Sequence, residues 1–116
     1  MDVRGGLIEY ALGLPEAYED HPWGEVVAKV RKKVFVFFGT GDDPDRLGYT
    51  VKLAESHDQA LSFPTVERTG YGLGRAGWVT VWLSAGAPPV GVCTDWIEES
   101  YRLVAPKGLV RLLENR

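Results

Sequence analysis

The stretch that most constrains this chain is Gly70 to Leu83, GYGLGRAGWVTVWL. From Trp78 the side chains alternate, with Val79, Val81 and Leu83 on one side and Trp78, Thr80 and Trp82 on the other. A strand with this pattern must lay its aliphatic side on a core. Its second side is large, aromatic and only partly polar, so it packs under another element or binds something. The glycine-rich run before it predicts a hairpin tip whose glycines take positive φ, with Arg75 placed to reach a phosphate. Gly72, Gly74 and Gly77 do not form a dinucleotide fingerprint, because the third spacing is wrong and a strand follows where a helix is needed.

The rest of the chain supplies a sheet and its cover. Asp2 caps a first helix to about Gly13, with Val3, Leu7, Ala11 and Leu14 forming one apolar stripe. Glu16 to Gly24 reads as an acidic connection. Glu25 to Val30 has period two, and Arg31-Lys32-Lys33 reads as a tight turn. Val34 to Phe38, VFVFF, is apolar on both faces, as in a central strand covered on both sides. Gly39 to Gly48 is a loop rich in breakers, and Tyr49 to Leu53 alternates again. Ser56 and Gln59 form a capping box for a short helix before Pro64. Val66 to Tyr71 pairs with Trp78 to Leu83 as a hairpin. Thr94 caps a helix over Asp95 to Val104, and Pro106 opens a last one, Lys107 to Glu114. The expected fold class is α+β in the order αβββαββαα. It is a two-layer sandwich with an antiparallel sheet of about five strands, a meander with helices mainly on one face. Residues 1–116 are expected to form a single domain.

Charge and composition narrow the function. The chain carries 13 Lys and Arg against 16 Asp and Glu, a net charge of −3. The acids crowd the start: Asp2, Glu9, Glu16, Glu19, Asp20 and Glu25 precede Lys29, with Arg4 as their one basic neighbour. The remainder is slightly basic, so a weakly cationic patch fits there. Cys93 is the single cysteine, which excludes an intrachain disulfide and suits a reducing cytosol. No apolar run approaches a membrane span, and the expectation is a cytoplasmic monomer.

Few residues suggest catalysis. No serine sits in a nucleophile elbow, and Cys93 has no histidine nearby in sequence. Glu19-Asp20-His21 and Asp42, Asp43 and Asp45 lack the spacings of metal ligands. The reading is therefore a recognition module with no metal, no cofactor and no catalytic residues. If registers allow, Trp78, Trp82, Thr50, Lys52, Thr80 and Lys29 share one surface, where rings would stack on bases and cations would meet phosphates. The alternative is a protein- or small-anion-binding cleft formed by Glu19, Trp23, Lys52, Arg75 and Trp78.

Several segments occur together in a telling order: LPEAYEDHPWGE (Leu14 to Glu25), KVFVFFG (Lys33 to Gly39), TVKL (Thr50 to Leu53), GYGLGRAGWVTVWL, and ESYRLVAPK (Glu99 to Lys107). Across nearly its whole length the chain resembles the MmcQ/YjbR family. The resemblance implies an architecture like that of frataxin and CyaY, with helices packed on an antiparallel sheet. It also implies that family's usual description, a predicted DNA-binding protein with a double wing of β-hairpins. Mapped here, the wings surround Arg31-Lys32-Lys33 and Arg75, and their contact residues are Lys29, Arg31, Lys32, Lys33, Lys52, Arg68 and Arg75. Trp78 and Trp82 would stack or pack. An iron role like that of frataxin does not follow, since the first helix has Asp2 and Glu9 but no dense acidic ridge. The expectation is weak, salt-sensitive and largely sequence-independent DNA binding.

Overall fold

The structure, a computed structural model, describes residues Asp2–Asn115. Helix α1 spans Val3–Leu12 and is capped by Asp2, whose carboxylate accepts from Gly5 N at 2.9 Å. Strands β1 (Tyr18–Asp20), β2 (Val26–Val30), β3 (Lys33–Gly39) and β4 (Gly48–Lys52) follow. Then come α2 (His57–Leu61), β5 (Val66–Arg68), β6 (Trp78–Trp82), α3 (Val90–Val104) and α4 (Lys107–Glu114). The order αβββαββαα holds with one strand added. Tyr18–Asp20, expected as acidic connection, pairs with β2 through Tyr18↔Lys29, Glu19↔Ala28 and Asp20↔Val27. Three polar or aromatic residues carry no alternating signal, so this strand exists by docking on its neighbour.

All pairings are antiparallel, in the order β1-β2-β3-β4-β6-β5. The first four strands form the expected meander. The last two depart from it: β6 returns between β4 and β5, which leaves β5 at the edge. The aliphatic side of β6 explains this placement. Val79 and Val81 are fully buried, as an inner strand requires, whereas β5 buries only Val66.

The helices cover one face. Leu7 and Ala11 of α1 and Trp96, Ile97 and Tyr101 of α3 meet Ala28, Val30, Phe35, Val36, Phe38, Val51, Val79 and Val81 of the sheet. Two register shifts between β2 and β3 decide how VFVFF is used. They put Phe35, Val36 and Phe38 all into the core, Phe35 edge-on to Tyr101 at 5.3 Å. Phe37, like Val34, stays out of that core, and lies half-buried on the open face against the edge of Trp78 at 5.5 Å. Tyr101 also donates to Pro15 O at 2.7 Å, tying α3 to the end of α1.

The caps differ from the local reading. Helix α3 starts at Val90, and the Thr94 hydroxyl donates to Gly91 O within it. Ser56 makes no cap bond to α2; its hydroxyl donates to Glu99 of α3 at 2.7 Å. The same carboxylate accepts from Ala54 N and Ser56 N, so a distant acid organises this turn. Cys93 is buried, its thiol donates to Pro88 O at 3.7 Å, and burial pushes its pKa up, which keeps it a thiol. Among the described residues no helix is long and apolar enough to cross a membrane.

The β3–β4 ladder consists of Val36↔Val51 and Phe37↔Thr50. The next facing pair in that register is Phe35 and Lys52. There the buried hydroxyl of Ser100 intervenes, donating to Phe35 O at 2.6 Å and accepting from Lys52 N at 2.9 Å. Ser100→Ala would orphan both backbone groups. It is expected to cost about 2–6 kcal/mol, at about 1–3 kcal/mol for each unsatisfied buried group. Urea denaturation would show this as a lower midpoint with an unchanged slope.

Candidate nucleic-acid interface and the adjoining cleft

Two residues, Arg31 and Lys32, connect Val30 to its partner Lys33, and both are left-handed, with φ of 49° and 70°. This backbone matches a type I′ hairpin, a turn that favours Asn-Gly. Placing two long cations there costs roughly 1–2 kcal/mol per residue. In return, Lys32 and Lys33 stand exposed at the tip, and neither has a carboxylate partner among the described residues. Lys29 and Arg31 do have partners. Lys29 Nζ donates to Asp20 at 2.7 Å, and Arg31 donates to both oxygens of Glu16 at 2.8 and 3.1 Å. The Arg31 hydrogen bond holds the Glu16 carboxyl below its ordinary pKa, and the Lys29 hydrogen bond does the same for Asp20.

The second turn runs from Thr69 to Gly77. Gly72 and Gly77, at φ of 81° and 97°, bracket a short 3-10 turn, Leu73–Ala76, as the glycine run predicts. Arg75 is exposed on it. Antiparallel pairing sends both turns out of the same end of the sheet, because Val30↔Lys33, Lys52↔Trp78 and Arg68↔Val79 all lie towards that end. About three strand spacings separate them, roughly 14 Å. Lys52 lies between them on the open face, opposite Trp78. Arg68 and Arg75 line a depression of about 410 Å³ with His57, Glu55 and Asp58. The His57 Nε2 atom is buried there without a hydrogen-bond partner among the described residues.

The open face places Trp78, Thr80 and Trp82 beside Lys52, Thr50 and Gly48 in register. Neither tryptophan offers a bare ring. Trp78 is half-buried against Phe37. Trp82 lies over Gly48, where a Cβ would fall 2.8 Å from its ring, so only glycine fits beneath it. Arg46 covers the ring at 4.8 Å, and the indole N–H donates to Glu67 at 3.1 Å. Between this indole, Phe37 and Leu73 opens a cleft of about 510 Å³, walled by the Gly39–Leu47 loop. On its floor the hydroxyls of Thr50 and Thr80 meet at 2.9 Å, and those of Thr80 and Thr69 at 3.1 Å.

Glu19 and Trp23 lie apart from Lys52, Arg75 and Trp78. Glu19 sits on the edge strand beside His21. Trp23, 98% exposed and left-handed at φ 51°, stands in the β1–β2 connection at the opposite end of the sheet. Arg46, Leu73 and Thr69 belong to the cleft but escaped the sequence reading. They come from a breaker-rich loop and a turn, where no periodicity marks which side chains converge.

Two outcomes test this geometry. Lys32→Gly is expected to raise stability by about 1 kcal/mol, since glycine takes the left-handed position freely. Chemical denaturation checks it, and Lys32→Ala, which keeps the strain, is expected to show no such gain. In an NMR titration, Glu16 and Asp20 are expected to titrate below their ordinary values of 4.5 and 3.8. Both folded pKa values are depressed, so the pairs support the fold above the unfolded carboxylate range. That support is lost as pH falls through the folded values. Arg31→Ala should return Glu16 towards 4.5 and leave Asp20 in place.

Comparison with known proteins agrees with this architecture. A crystal structure of the Deinococcus radiodurans protein DR2400, described as a DUF419 domain, superposes with a TM-score of 0.70 at 25% identity, over 85% of this chain and 75% of that one. A Pseudomonas syringae protein of known structure gives a TM-score of 0.68 at 21% identity, over 87% of this chain and 97% of that one, and is alike in fold. No curated protein matches the sequence. The YjbR family model matches residues 12–103, which include every strand, both cationic turns and most of α3. The chain belongs to the YjbR family.

Proposed function

We propose that this protein binds nucleic acid weakly and without strong sequence preference, through phosphates held at the end of the sheet where the two turns emerge. The observation that carries this reading is the convergence of Lys32, Lys33, Lys52, Arg68 and Arg75 at one end. None of them has a carboxylate partner among the described residues. Unpaired cations release counterions from a phosphate backbone, and that release dominates non-specific affinity. The spacing of the turns, roughly 14 Å, compares with a B-DNA major groove about 12 Å wide, so two hairpins could straddle one set of phosphates.

The ion pairs set a limit on that affinity. Glu16 and Asp20 take Arg31 and Lys29 out of the wing by pairing with them. Glu55 and Asp58 stand beside Arg68 and Arg75. Five free cations allow a log–log salt slope of at most about −4.5, at about −0.9 per phosphate. Low affinity at physiological salt is the expected result for a chain with net charge −3.

Fluorescence anisotropy with labelled duplex and single-stranded DNA at several salt concentrations tests the proposal. Arg75→Ala and Lys32→Ala should each make the slope shallower by about 0.9. Glu16→Gln should tighten binding and steepen the slope by about 0.9, because Arg31 is then free to meet a phosphate. No binding at low salt, or slopes indifferent to all three changes, would refute the reading.

A further inference from the structure

The cleft on the open face has a chemistry unlike that of the cationic end, and phosphate contacts leave it unused. We propose that it receives one unpaired nucleobase, a neutral planar heteroaromatic ring, from a single-stranded or locally opened strand. The strand that delivers the base rests on the nucleic-acid reading above. The preference for a base rests on the cleft itself.

Its volume of about 510 Å³ lies in the range of small-molecule sites, about 300–1,000 Å³. The floor is amphoteric. The three hydroxyls of Thr50, Thr80 and Thr69 own three protons, and the two bonds of their chain use two of them. One donor and several lone pairs remain. An amide-like base edge, with a donor beside an acceptor, matches both, whereas a carboxylate or phosphate brings acceptors only. Charge points the same way. Glu25 and Asp43 line the cleft against the single cation Arg46, so the lining does not favour an anion. Phe37 and Leu73 supply apolar surface for the faces of a ring.

The cleft is also held in shape. Arg4 of α1 donates to Phe38 O at 3.3 Å and to Gly39 O at 3.1 Å, fixing the start of the wall loop. Glu67 and Gly48 fix the Trp82 indole, and Arg46 rests on it. A preformed site spends little affinity on ordering itself. Arg46 stays at the rim, where the phosphate beside an inserted base would pass.

The test separates this proposal from the phosphate reading. Uncharged ribonucleosides are titrated into the ¹⁵N-labelled full chain, and amide and indole shifts are followed. The expected result is a set of shifts confined to Thr50, Thr69, Thr80 and the Trp82 indole. Thr80→Val, which keeps the shape and strand preference but breaks the hydroxyl chain, should weaken them about fivefold to tenfold. Thr69→Val serves where Thr80→Val disturbs the fold. In parallel, a single-stranded oligonucleotide is compared with its abasic counterpart. The base-bearing strand should bind more tightly, and Thr80→Val should erase the difference, while Arg75→Ala weakens both alike. No shift at these threonines with about 10 mM nucleoside, where even a Kd of about 1 mM would show, overturns the base site. Equal binding of the two strands also overturns it, and salt-dependent binding in that case leaves the phosphate reading standing. Nucleoside binding without any oligonucleotide binding would do the reverse.

Discussion

Between β3 and β4 the backbone ladder gives way after two residue pairs, and the Ser100 hydroxyl takes over, donating to Phe35 O and accepting from Lys52 N. Much of the molecule meets at this seam. Phe35 is one of the residues that the register shifts of β3 direct into the core, and its ring meets Tyr101, the next residue along α3. Lys52 is the cation between the two turns. One buried hydroxyl thus joins the covering helix to both strands, at the end of the sheet from which the turns emerge. A buried polar group is tolerated only when its bonds are made, and here both are.

The two faces of the sheet divide the work. The helix side is an aliphatic and aromatic core whose composition any two-layer α+β protein would share. On the open side tryptophans are pinned, one by Phe37 and the other by Gly48, Arg46 and Glu67. Of the two, the Trp82 ring walls the cleft, and the hydroxyl chain of Thr50, Thr80 and Thr69 supplies the polar contacts on its floor. The cationic turns lie at one end of this face and Arg46 towards the other. On the proposed reading, a nucleic-acid strand crossing this face would pass from the cationic turns to the cleft.

Electrostatics also divides by position. The acids of the first 25 residues do not all stay clear of the basic turn. The edge strand β1 brings Asp20 to Lys29, and the bend before it brings Glu16 to Arg31. The Arg31–Glu16 pair is exposed and contributes little to stability, whereas the Lys29–Asp20 pair is half-buried. Each pair takes one cation out of the set that is left without a carboxylate partner. The count of lysines and arginines in a turn therefore overstates its free charge.

The sequence by itself determined the class, the element order and the faces. Alternation in Trp78–Leu83 and Tyr49–Leu53, the stripe of α1 and the glycine-rich tip are local consequences of backbone geometry, readable from neighbours a few residues away. The family was legible too, because its segments lie in order along the chain. The tertiary structure alone decided the rest. It added β1, which has no periodic signal of its own, and set β6 inside β5. It replaced the Ser56 cap with Glu99. It separated Trp23 from Arg75, and drew Arg46, Leu73 and Thr69 to one cleft. These outcomes depend on contacts between residues far apart in the chain. Spacing records which way a side chain points from its own element, but not which distant group it will meet there.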